Sequence, residues 1–177
     1  MSNYTILRPD HHKDLCVDMR RSSALGDGVS QVLTYPLEFR DIQSCYPIFF
    51  IKDSETAAFI PVALLGLDTG ENLFLGDEGW DAHYVPKLIE RNPFLIAKPT
   101  NPGPSESSQP KLSIDLDSPR ITDGHGEALF TSDGVPTQFL DGILAMMKGI
   151  HEGLEHSAQF SEALIAHGLL EPMTVDL

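Results

Sequence analysis

Residues 46–67 read YPIFFIKDSETAAFIPVALLGL, and this stretch decides the fold. Ile48-Phe49-Phe50-Ile51-Lys52 and Ala58-Phe59-Ile60-Pro61-Val62-Ala63-Leu64-Leu65 are apolar runs of bulky or β-branched residues. The polar Asp53-Ser54-Glu55-Thr56 between them is turn chemistry, so the pair predicts a hairpin of two buried strands. Pro61 has no N–H to give to a ladder, which requires either an edge at that point of the second strand or a bulge. Gly66 to Asn72 predicts a turn, and Leu73-Phe74-Leu75 a returning strand that completes a three-stranded antiparallel meander.

On the N-terminal side, Lys13 to Met19 predicts a strand, Ser22 to Ser30 a Gly and Ser loop, and Gln31 to Tyr35 a second short strand. Leu37 to Tyr46 predicts a short helix stopped by Pro47, because the residue before proline is pushed out of the α region. On the C-terminal side, Asp81 to Arg91 places Tyr84, Val85, Leu88 and Ile89 on one helical stripe, with Asp81 as N-cap and Asn92-Pro93 as stop. Phe94 to Ala97 is then a strand. Residues 98–110, KPTNPGPSESSQP, have too little apolar surface to order themselves and predict a mobile loop inside one domain. Leu112 to Leu116 alternates as a half-buried strand, continued briefly at Ile121 and at Ala128-Leu129-Phe130. Phe139, Ile143, Met146, Met147 and Ile150 recur at helical spacing between Thr137 and His151. A last helix, about Ser157 to His167, ends at Gly168, where a left-handed cap belongs. The expected fold class is α+β: a largely antiparallel sheet with a few packed helices, the last two at the C-terminus, in a single domain over residues 1–177.

The chain carries 26 acidic against 12 basic residues, a formal charge of −14, which argues against nucleic acid as partner and for a solvated surface. The start, MSNYTILRPDHHKDLCVDMRR, shows no secretory signal, and the longest apolar run, Phe59 to Leu65, falls far short of the roughly 20 residues a membrane helix needs. A soluble, cytoplasmic protein without a membrane span is the expectation. Cys16 and Cys45 are expected to be reduced, mostly buried thiols.

Motifs that announce chemistry are missing from the sequence. Gly66-Leu-Asp-Thr-Gly70 lacks the Lys-Ser or Lys-Thr of a phosphate loop, and Gly124-His-Gly126 lacks the third glycine of a dinucleotide site. No serine is framed as Gly-x-Ser-x-Gly, and no histidines or cysteines stand at His-x-x-x-His or Cys-x-x-Cys spacing. The sequence therefore names no catalytic residue, no cofactor and no metal. The segment Ile114-Asp115-Leu116-Asp117-Ser118-Pro119-Arg120 is the best polar candidate. On a strand Asp115 and Asp117 would share one face, able to hold a divalent cation or pair with a basic side chain, with Arg120 close behind. Trp80, Tyr84 and Arg91 form a second candidate, because Trp, Tyr and Arg dominate binding hot spots.

Tyr46-Pro-Ile-Phe-Phe-Ile-Lys-Asp53, Pro61-Val-Ala-Leu-Leu-Gly-Leu67, Gly70-Glu-Asn-Leu-Phe74, Gly79-Trp80, Tyr84-Val-Pro86 and Arg91-Asn-Pro-Phe94 together resemble the bacterial SapC family. Ile114-Asp-Leu-Asp-Ser-Pro-Arg120, Leu129-Phe130, Phe139-Leu140 and Leu169-Leu-Glu-Pro172 extend the resemblance over nearly the whole chain. That family takes its name from a protein linked to a paracrystalline bacterial surface layer, and many of its relatives are encoded near outer-membrane receptor and flavin-dependent halogenase genes. The resemblance implies no established catalytic residue. Relatives run on past the Leu-Glu-Pro segment into a further helical region, so a short member or a truncated chain is expected here. The favoured reading is a non-enzymatic accessory or binding protein with a protein partner, connected with cell-surface or outer-membrane uptake systems. It presents Gly70 to Arg91 and the Asp115 to Arg120 strand end, so the candidate binding residues are Trp80, Tyr84, Arg91, Asp115, Asp117 and Arg120. The alternatives are an enzyme acting on a small aromatic or peptide substrate, with Asp115, Asp117, Arg91 or His125 gathered in one pocket, and a structural surface-layer component.

Overall fold

The hairpin forms where the sequence places it, in a computed structural model that describes residues 3–97 and 111–174. The elements in chain order are β1 (Tyr4–Ile6), α1 (Pro9–His12), β2 (Leu15–Val17), β3 (Gln31–Leu33), α2 (Phe39–Ile42), β4 (Ile48–Lys52), β5 (Phe59–Leu64), β6 (Leu75–Gly76) and β7 (Gly79–Trp80). There follow α3 (Lys87–Glu90), β8 (Phe94–Ala97), β9 (Lys111–Asp115), β10 (Ile121–Asp123), β11 (Glu127–Ala128), α4 (Gln138–Glu155) and α5 (Ser157–Ala166). The fold is mixed α+β, with several small antiparallel sheets and a long, bent C-terminal helix over 138–166. The bend falls at His156, whose N–H bonds three residues back to Gly153 O, while Ser157 Oγ donates to the same carbonyl. A serine hydroxyl that bonds back four residues bends a helix in this way.

The chain divides into two compact units, residues 1–20 with 91–148, and residues 21–90 with 149–177. The mobile loop expected over 98–110 lies outside the described residues.

In the second unit, β5 is the centre of a sheet ordered β3-β5-β4. Register runs Ile48↔Ala63 to Lys52↔Phe59 on one side and Gln31↔Leu64 to Leu33↔Val62 on the other. Asp53 closes the hairpin by accepting the Thr56 N–H (2.7 Å) and hydroxyl (2.6 Å) at Oδ1. Pro61 thus sits in a central strand, at a point where the ladder no longer asks it for a donor. Its carbonyl accepts from Thr34 N, so its nitrogen faces the same neighbour just past the end of β3 at Leu33. The proline finds the edge it requires because β3 is short.

Two expectations fail here for identifiable reasons. Leu73-Phe74-Leu75 does not complete the meander, since β3 occupies that flank. Leu73 N makes one bond to Leu65 O, and Leu75–Gly76 instead pairs with Gly79–Trp80. The helix expected over 81–91 shrinks to Lys87–Glu90, because Pro86 excludes Val85 from the α region and starts the helix instead of sitting inside it. The core of this unit is Ile42, Tyr46, Ala63, Leu65 and Ile89. Phe39, Phe50 and Phe160 add an aromatic cluster, their ring centroids 5.5 to 6.5 Å apart, that fastens α2, β4 and α5.

In the first unit, β1-β9-β8 form one sheet and β10-β2-β11 another. The strand at Tyr4–Ile6 has no counterpart in the sequence expectations. Buried Val17, Phe94, Ile114, Leu129, Phe130, Leu140, Ile143 and Met147 make the core. Thr137 Oγ1 accepts the Leu140 N–H and so caps the N-terminus of α4. Gly168, at φ +62°, ends α5 with bonds from its own N to Ile165 O and from Leu169 N to Leu164 O, the paired bonds of a left-handed helix stop. Cys16 and Cys45 are free and only partly buried, more open than expected.

Candidate functional site

Trp80 and Tyr84 meet at Tyr46 in the second unit. Tyr46 is 2% exposed, so its hydroxyl needs partners: it accepts from Trp80 Nε1 at 2.7 Å and donates to the Tyr84 carbonyl. Burial raises the Tyr46 phenol to about 12. The Tyr84 hydroxyl donates to Glu38 Oε1 at 3.0 Å, and Lys87 lies 5.6 Å from the Tyr84 ring centre. Glu38 itself is 3% exposed, and it collects the Lys87 N–H (2.7 Å) on Oε1 and the Thr34 hydroxyl (2.8 Å) on Oε2. Burial still holds its carboxyl above the ordinary range, against the pull of those donors. Burial, with the Glu38 charge beside it, pushes the Tyr84 phenol far up. Both aromatic candidates therefore have their polar atoms committed inside the unit.

The remaining candidates belong to the first unit. Arg91 is half-buried, donates from Nη1 to Phe94 O at 2.6 Å, and has its pKa lowered by burial. The shared face expected of Asp115 and Asp117 does not form, because β9 stops at Asp115. Asp115 Oδ1 accepts the N–H of Asn3 (2.8 Å) and of Asp117 (3.2 Å), which makes it the closing residue of a turn. Asp117 is exposed on that turn. Arg120 is fully buried and donates from Nη1 to the carbonyls of Asp18 (2.9 Å) and Arg20 (2.8 Å). His125 is exposed in the β10–β11 turn, where its carbonyl accepts from Thr122 Oγ1. Among the described residues no group of three His, Cys, Asp or Glu side chains is placed to hold a metal ion.

Sequence reasoning read Gly66 to Asn72 as a turn and named none of its residues as a binding candidate. Gly66 packs so closely that an added Cβ would lie 2.6 Å from Glu71 O. Glu71 Oε2 accepts the N–H of Leu67 (2.8 Å) and of Asp68 (3.2 Å), which lowers its pKa. Asn72 Nδ2 donates to Asp27 O at 2.9 Å, and Asn72 Oδ1 accepts from Phe74 N at 3.0 Å. A loop fixed by its own polar side chains leaves Leu67 (48% exposed) and Leu73 (65% exposed) facing water. The Gly66…Glu71-Asn72 spacing was the available signal. With these sites mapped, residues 7–177 match the family model described as SapC. The chain belongs to the SapC family. No curated protein and no solved structure gives a match to this SapC-family chain.

Proposed function

We infer that this SapC-family chain is a non-enzymatic accessory protein that binds a protein partner, and that the Gly66–Phe74 loop is the contact. The observation that carries the reading is the preorganised loop itself, with its backbone fixed and two leucines left in water. Rigid apolar display lowers the ordering cost of binding. Trp80 and Tyr84 support the loop from within the unit and act on the partner through it. Cell-surface and outer-membrane uptake systems are where the partner is to be sought.

An enzyme draws less support. Asp115, the turn-closing carboxylate, and exposed Asp117 and His125 do not line the first unit's groove, whose described lining residues include no acid or imidazole. The test is affinity capture from the native organism with the wild-type chain beside the Leu67→Ser/Leu73→Ser variant, quantified by mass spectrometry. Both positions are exposed, so the variant is expected to fold with an unchanged circular dichroism spectrum. A partner retained by wild type and depleted about tenfold or more with the variant is the expected result. Equal recovery of every co-purifying protein would reject the loop as the contact.

A further inference from the structure

We propose that the groove of the first unit binds an apolar monocarboxylate, gripped at its carboxylate by Arg8 and Lys111. The groove encloses about 560 Å³, within the size range of small-molecule sites, and runs beside the edge strand β1. Its walls include Ile6, Leu112, Phe130, Leu140 and Leu144, with Leu144 43% exposed on α4. Such walls favour a hydrocarbon or aryl body. Among the described lining residues the charged ones are Arg8 and Lys111, both positive, in a chain where acids outnumber bases 26 to 12.

The backbone puts these two cations opposite each other. Tyr4↔Asp115, Thr5↔Ile114 and Ile6↔Ser113 fix the β1–β9 register, and Leu7 N extends it to Leu112 O at 2.9 Å. Arg8 is still extended, at φ −142° and ψ 135°, so the next pair is Arg8 with Lys111. That pair is of the non-hydrogen-bonded kind, the one that brings side chains closest. Like charges directly opposite are unfavourable, and neither cation forms an ion pair among the described residues. A carboxylate between them turns repulsion into two charge-assisted hydrogen bonds, with the guanidinium fork suited to its two oxygens. The apolar walls take the rest of the molecule, and no carboxylate among the described lining residues opposes the anion.

The probe is sodium decanoate, titrated calorimetrically into the full chain below its micelle concentration, with decanol as the uncharged molecule of equal length. The expected result is saturable 1:1 binding of decanoate, decanol weaker by about tenfold or more, and a similar loss of decanoate affinity in Arg8→Gln/Lys111→Gln. Arg8 is exposed and Lys111 half-buried, and circular dichroism checks that the fold is kept. Equal binding of decanol would overturn the carboxylate assignment. Undiminished decanoate binding by the double variant would overturn the two cations as its grip. The absence of saturable binding below about 1 mM would overturn the site itself.

Discussion

Glu38 shows what a single buried carboxylate does in this chain. It ties the end of β3, through Thr34, to the loop that carries Tyr84 and to the start of α3 at Lys87. Its folded pKa lies above the ordinary 4.5, because desolvation outweighs the three donors. Between those two values the folded chain holds more protons than the unfolded chain, so Glu38 lowers stability as pH rises through its folded pKa. Its favourable contribution is complete below about 4.5. Glu38→Gln removes the titration and keeps a side chain able to accept from Tyr84 and Lys87 and to donate to Thr34. Urea unfolding is therefore expected to show the stability of wild type relative to Glu38→Gln rising as pH is lowered from 8 to 4.5. A difference that stays flat across that range would mean that Glu38 is not held protonation-sensitive by burial.

Among the elements, α4 separates local propensity from packing. Gly142 and Gly153 are both helical glycines, and propensity alone predicts that alanine stabilises each by up to about 1 kcal/mol. At Gly142 no atom lies within 4 Å of an added Cβ, so Gly142→Ala is expected to gain that amount. At Gly153 the added Cβ would lie 2.2 Å from the buried Tyr35 ring, so Gly153→Ala is expected to lose about 1–3 kcal/mol instead. Chemical denaturation of the two variants checks the opposite signs. The same separation explains which elements were legible in the sequence. The β4–β5 hairpin and the two C-terminal helices were readable because their apolar period, turn residues and caps all agree locally. The partner of β5 was not, since strand pairing is settled by which flank is free, and β3 had already filled it. The helix over 81–91 was over-read because a convincing apolar stripe hid Pro86. At the site level, the types Trp80 and Tyr84 were visible, but not that Tyr46 and Glu38 would take up their polar atoms. Asp115 and Asp117 lost their shared face because one of them closes the turn that the strand enters.

At the scale of the molecule, acidity and apolar display act together. A charge of −14 keeps copies of the chain apart and disfavours polyanions, and the proposed partner contact is apolar surface held in a fixed shape. No helix among the described residues is long and apolar enough to cross a membrane; the exposed leucines are proposed to face a protein partner. The central claim is that Leu67 and Leu73 touch that protein. The most direct test replaces Leu73 with photoreactive benzoylphenylalanine in the native organism, with the same replacement at Leu154, 39% exposed on α4, as comparison. The account predicts one discrete adduct on irradiation from position 73 and none from position 154. No adduct at 73, or equal adducts at both, would contradict it.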